Sequence, residues 1–283
     1  MLSDQQIDAV LRLAFAEDVP FGDLTTETFV PVRARARAEL RARQPGVFSG
    51  GQVFTRAMRT LDSEVTVELH HDDGARFTEQ GLLATVSGPA RAVLTAERTA
   101  LNIVQRMTGI TTLTAQYTAA VEGTDTRIAD TRKTTPGLRA IERHAVRCGG
   151  GHNHRFCLSD AVMAKDNHLA VVTAEGYGLA EAIRAARRRL PHTAHVEVEV
   201  DRLEQVPEAL EGGADTIMLD NFSLAELREG VALVGGRAVV EASGGVSLET
   251  VADIADTGVD VISVGALTHG VPAMDLGLDI QVS

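Results

Sequence analysis

Scarcity shapes a first reading of this chain. It has no tryptophan, two cysteines, and only two lysines among 27 basic residues. Two cysteines cannot build a disulfide framework, and so few fit a reducing, cytoplasmic setting. No apolar run reaches the length of a membrane span. The opening stretch MLSDQQIDAVLRLAFAEDV is interrupted by acids and lacks a basic n-region, so it does not read as a secretory signal. It reads as an amphipathic helix beginning near Ser3 or Asp4, with Ile7, Val10, Leu11, Leu13 and Ala14 at helical spacing. No GxGxxG or P-loop pattern occurs, so nothing points to a dinucleotide or P-loop site. The formal net charge of −12 argues against a protein that coats nucleic acid. At 283 residues the chain can bury one large core or two smaller ones.

Against that acidic background one stretch is basic. Residues 127–168, RIADTRKTTPGLRAIERHAVRCGGGHNHRFCLSDAVMAKDNH, hold six Arg and both Lys against Asp130, Glu142, Asp160 and Asp166. A basic island in an acidic chain points to a pocket for a small anion. The two lysines, Lys133 and Lys165, both fall inside it. In a chain that otherwise uses Arg, they mark positions where a compact ammonium is needed and a planar guanidinium does not fit.

The first part of the chain reads as α+β. Residues 33–86 alternate like strands and turns around a helix near 51–61, and residues 90–120 form a long helical region with a break expected at Gly109. The second part repeats. RIADT, VMAKD, HVEVEV, TIMLD, AVVEAS and VISVG are apolar strands. They alternate with helices near 175–190, 202–212, 223–234 and 247–257. Such alternation implies right-handed βαβ units and a parallel sheet, and the regular return of apolar strands favours a barrel. Six strands are countable. In such barrels the reactive residues lie where strands end.

Several cations converge on the first two strand ends: Arg132, Lys133, Arg155 and Lys165, with His154 close by. Held together they repel one another unless an anion binds, and a polycarboxylate or pyrophosphate fits that demand. Arg139, Arg143 and Arg147, spaced four apart, read instead as one exposed face of a helix starting near Pro136. Glu199 and Asp220 end apolar strands, where a carboxylate must be paired or bind something. Hydroxyl binding, metal binding, stabilisation of a developing cation and a structural ion pair with Arg all remain open for them. ASGGV and SVGA end late strands, where glycines let backbone N–H groups approach phosphate; a plain tight turn also wants glycine. Cys148, His152, His154 and Cys157 superficially resemble a zinc set, but their spacing is unusual and two free thiols are the simpler reading. A lysine at a barrel strand end also raises a Schiff-base lyase, which needs an apolar pocket that this polar stretch does not offer.

As an ordered set, DTRKTTPGLR, GGGHNHR, LSDAVMAKDNH, VEVEV, TIMLDN, EASGGV and SVGALTH resemble the quinolinate phosphoribosyltransferase family. GDLTT and SGPARAVLTAERTALN extend the resemblance over almost the whole chain. Two departures, Phe156-Cys157 and Gly270, touch no charged site residue. The resemblance implies an N-terminal α+β sandwich domain, residues 1–110, joined by the tail 270–283. It implies an incomplete, seven-stranded α/β barrel of the type II phosphoribosyltransferase kind over residues 111–269. It further implies a homodimer, or a larger assembly of such dimers, with Arg98 of a neighbouring subunit reaching the site. Quinolinate and phosphoribosyl pyrophosphate would give nicotinate mononucleotide, carbon dioxide and pyrophosphate, a step of pyridine nucleotide and NAD biosynthesis. By the same resemblance Arg98, Thr131, Arg132, His154, Arg155 and Lys165 bind substrate, with Lys133 nearer the pyrophosphate. Glu199 and Asp220 hold the ribose and, indirectly, Mg2+. Ser243, Gly244, Gly245, Val264, Gly265 and Ala266 hold the 5-phosphate. Lys133, Lys165, Glu199 and Asp220 are the expected catalytic group, with no organic cofactor, nucleic acid or membrane partner. The runner-up is a paralogue of the same fold acting on another anionic ring substrate.

Overall fold

The computed structural model describes residues 2–282; Met1 and Ser283, which end the expected first domain and tail, lie outside them. The chain separates into two compact units. One comprises Met1–Ala115, Thr134–Gly150 and Leu267–Ser283, the other Gln116–Lys133 and Gly151–Ala266. Residues 134–150 thus group with the first unit.

The first unit opens with helix Asp4–Asp18, started by Ser3, whose side chain accepts from the Gln6 amide in a capping box. Its sheet is antiparallel, in the order Leu276–Val282, Arg35–Ala42, Leu82–Pro89, Thr66–Leu69. Strict alternation explains the central strand. Ala36, Ala38, Leu40 and Ala42 are buried, while Arg35, Arg37, Glu39 and Arg41 point away. Helix Ala90–Ala120 is continuous for 31 residues, without the break expected at Gly109. Glycine is needed there for space: a Cβ on Gly109 would lie 2.3 Å from the Pro272 carbonyl oxygen. Helix Arg139–Cys148 leaves only Arg147 fully exposed; Arg139 and Arg143 are half-buried, contrary to the expected exposed face.

The second unit is the α/β barrel. Its strands are β1 (Arg127–Ala129), β2 (Val162–Ala164), β3 (Val196–Val200), β4 (Thr216–Asp220), β5 (Val239–Ser243) and β6 (Val261–Ser263). They pair in parallel in the order β1-β6-β5-β4-β3-β2. The six countable strands are all present. The seventh implied by the resemblance is reduced to one parallel bridge between His152 and Ala129. All five residues of β3 are buried, as parallel strands covered on both faces require. Among the described residues no helix is long and apolar enough to cross a membrane.

Candidate active site

The carboxyl ends of the strands surround a cavity of about 540 Å³. It is lined by Thr131, Arg132, Lys133, His154, Arg155, Lys165, Glu199, Asp220, Ser243, Gly244 and Gly245, and also by Met163, Met218, Asn221 and Ser263. The residues named from the sequence are thus brought together, apart from four. Val264 is buried, with its amide donating to the Ala129 carbonyl. Gly265 and Ala266 follow it and do not line the cavity. Arg98 is an exposed residue of helix Ala90–Ala120.

Local chemistry fixes each wall. On the cationic side, fully buried Asp130 directly follows β1 and braces the HNHR segment. Its Oδ1 accepts from the His154 amide at 2.7 Å and its Oδ2 from Asn153 Nδ2 at 2.6 Å. Arg155 Nη1 donates to the Ala161 carbonyl at 3.0 Å. Burial, then the neighbouring Arg132 cation, pushes the Arg155 guanidinium below its usual range. Arg132 Nε is buried with no hydrogen-bond partner. On the acidic side Lys165 Nζ donates to Glu199 Oε2, so the half-exposed ammonium is held against a nearly buried carboxylate. The ammonium thus sits in an ion pair and not in the apolar pocket that a Schiff-base lysine needs.

Backbone conformation builds the third wall. Asn221 takes a left-handed φ of 60°, its amide donates to the Ser243 carbonyl at 2.8 Å, and its Nδ2 donates to Asp220 Oδ2 at 2.7 Å. Opposite it Gly244 has φ +96°, and a Cβ there would sit 2.2 Å from Asn221 Oδ1. Only glycine permits that approach.

His154 has unusual surroundings. Its Nε2 lies 3.1 Å from Glu197 and 3.6 Å from Glu241, both buried. The Arg155 amide lies 2.8 Å from Nδ1, a contact that favours the singly protonated ring. Burial also disfavours the charged ring, but the approach of Glu197 and Glu241 outweighs burial and raises the imidazole to about 10. Burial in turn raises Glu197, with the Glu241 charge adding to it against the pull of His154.

Three features were missed in the sequence. Met163 and Met218 stand two residues before Lys165 and Asp220, so strand alternation puts them on the same face. Asn221 follows a strand-end acid and is a residue type that tolerates the left-handed region. Glu197, two before Glu199, is reached by alternation but passed over in favour of Glu199, since nothing in the sequence ties it to His154. The zinc set does not form: among the described residues Cys148, His152, His154 and Cys157 make no common cluster, and both thiols are free. Cys148 instead neighbours His144 and Asp73. Burial, then the Asp73 charge, pushes its thiol up to about 12, so it is no nucleophile.

Fold and cavity together define an α/β-barrel protein with a cavity at its strand ends lined by several cationic side chains and two acids. Comparison with known proteins gives the family. The chain belongs to the quinolinate phosphoribosyl transferase family, whose C-terminal domain profile matches residues 110–279 and whose N-terminal domain profile matches residues 23–108. It is 44% identical over 292 residues to the nicotinate-nucleotide pyrophosphorylase (carboxylating) of Mycobacterium leprae, covering 99% of this chain and 100% of that one. It is 39% identical over 278 residues to the probable enzyme of that name from Bacillus subtilis, covering 98% and 94%. The crystal structure of NadC from Streptococcus pyogenes superposes with a TM-score of 0.95 at 39% identity, covering 100% of this chain and 99% of that one.

Proposed function

We propose that this chain catalyses transfer of the phosphoribosyl group to quinolinate, giving nicotinate mononucleotide, carbon dioxide and pyrophosphate. The observation that carries the reading is the convergence of Arg132, Lys133, His154, Arg155 and Lys165 on a single cavity. Five cationic side chains suit a ring with two carboxylates and a diphosphate better than a substrate with a single charge. Glu199 and Asp220 face the same space from the ends of β3 and β4.

In this reading the cations orient the ring so that its nitrogen meets the anomeric carbon, and placement supplies much of the rate. The bond from that carbon to the pyrophosphate oxygen breaks as the carbon–nitrogen bond forms. Glu199 and Asp220 stabilise the positive charge that develops on the ribose. The amides around Gly244 and Gly245 receive the 5-phosphate, and Ser243 sits beside them. The carboxylate next to the ring nitrogen then leaves as carbon dioxide. Its bonding electrons stay on the ring carbon, where neighbouring cations stabilise them until a proton from water is taken up. Glu199 and Asp220, as hard oxygen donors, would hold Mg2+, which would offset negative charge on the departing diphosphate. The protein is read as cytoplasmic and as a homodimer in which Arg98 of a neighbouring subunit completes each site.

A coupled assay tests the reading. Purified protein, Mg2+ and phosphoribosyl pyrophosphate are mixed with quinolinate, and separately with nicotinate. We expect nicotinate mononucleotide and carbon dioxide from quinolinate alone. Product from nicotinate alone would overturn the assignment of the second carboxylate's cations, and no product from either would favour the paralogue.

A further inference from the structure

Two buried carboxylates play no part in the chemistry above. Glu197 and Glu241 are 3% and 4% exposed, and one oxygen of each has no hydrogen-bond partner. Buried acids are costly unless something compensates them. Both approach the same group, the imidazole of His154. Glu197 lies two residues below Glu199 on β3, and Glu241 two below Ser243 on β5. Alternation therefore aims each pair toward one face, the acid one step farther from the strand end.

That placement divides the barrel into front and back. His154 lines the cavity of about 540 Å³ at the carboxyl ends. It also lines a second cavity, of about 400 Å³, bordered by the strand starts. Glu197 and Glu241 line only the second. They reach His154 from behind and leave the substrate side clear. Asp130 holds the amide of the same residue, so the segment is braced by three acids.

We infer that Glu197 and Glu241 are positioning residues for the anionic ring substrate, acting through His154. They orient its ring and keep a positive charge on it at the floor of the site. The inference rests on the functional reading above. Electrostatics supports the geometry. Arg132 and Arg155 face the same floor and repel further positive charge, while Glu197 offsets that repulsion for Arg155. His195 lines the second cavity together with Glu197. With both acids present, His154 stays charged up to about 10. Without one of them its titration falls back toward the ordinary range near neutrality.

The test uses Glu197→Gln and Glu241→Gln, which keep size and a hydrogen-bond acceptor but remove charge. KM for quinolinate and for phosphoribosyl pyrophosphate is measured with kcat from about pH 6 to pH 9, across the ordinary histidine range. We expect the wild-type quinolinate KM to stay flat. In each variant it rises about tenfold as pH passes through the neutral range, because a cation is lost from the floor. KM for phosphoribosyl pyrophosphate stays unchanged. A quinolinate KM in both folded variants with the wild-type pH profile overturns the inference. In case a variant does not fold, the His154 ring is followed by NMR in the wild-type protein, assigned against His154→Gln. A charged ring at about pH 8.5 is expected, and a neutral ring there overturns the inference. A wild-type protein inactive on quinolinate overturns the functional reading instead, and the NMR titration still decides whether the acids hold His154 charged.

Discussion

Lys165 shows what a single residue reveals and what it hides. Its rarity in an Arg-rich chain marks it in the sequence, and the structure sets its ammonium against Glu199 at the cavity wall. A guanidinium is larger and planar, so Lys165→Arg moves the charge and disturbs the Glu199 contact while leaving the fold intact. We expect kcat/KM to fall on the order of 100-fold, a misplacement effect, with unchanged circular dichroism. Near-normal turnover would contradict the need for a compact cation. The cations were legible because a basic island in an acidic chain needs an explanation. The roles of Glu197, Glu241 and Asp130 were not, because nothing in the sequence shows that these acids meet the HNHR segment. When every residue of a strand is buried, polarity no longer separates inside from outside. The zinc-like spacing failed for the converse reason: two cysteines and two histidines close in sequence form no common cluster among the described residues.

At the level of elements, periodicity carried most of the information. All six barrel strands, the helix of residues 51–60 and the first helix with its Ser3 cap follow from apolar spacing and capping chemistry. A one-residue bridge at His152 has no period to detect, and neither do the two-residue strands Gly46–Val47 and Arg76–Phe77. The long helix was misjudged at Gly109 because glycine disfavours helices by about 1 kcal/mol relative to alanine, which reads as a break. The tail explains its presence. The Met274 amide donates to the Gln105 carbonyl at 2.9 Å, Gln105 Nε2 donates to the Leu276 carbonyl at 2.7 Å, and the chain passes Gly109 too closely for a side chain. Gly109→Ala therefore sets two effects against each other. Propensity gains about 1 kcal/mol, while pressing a methyl into the Pro272 backbone costs about 1–3 kcal/mol or more and must displace the tail. We expect net destabilisation, seen as a lower urea midpoint, with the tail losing amide-exchange protection first. A midpoint at or above the wild type would show that the tail yields freely.

For the whole molecule, the charge is −12 and the substrates are multiply negative, so the protein's average field repels what its cavity collects. Arg132, Lys133, His154, Arg155 and Lys165 of the basic segment resolve this by concentrating positive charge at the strand ends. One cation assigned to the site, Arg98, does not line the cavity and is exposed on its own helix. An exposed arginine is ordinary, and only its proposed role across a subunit boundary makes it part of the chemistry. That role has a consequence no single-chain arrangement shares. Arg98→Ala and Lys165→Ala should each be nearly inactive alone. In a mixed dimer one site receives both substitutions and the other receives neither. After equal mixing and subunit exchange, half of the dimers are mixed, and about a quarter of wild-type activity should return. If Arg98 serves the site of its own chain, every site in a mixed dimer carries one lesion and nothing returns. The assay thus reads from bulk activity which chain supplies the last cation, provided that exchange is confirmed separately with differently tagged subunits.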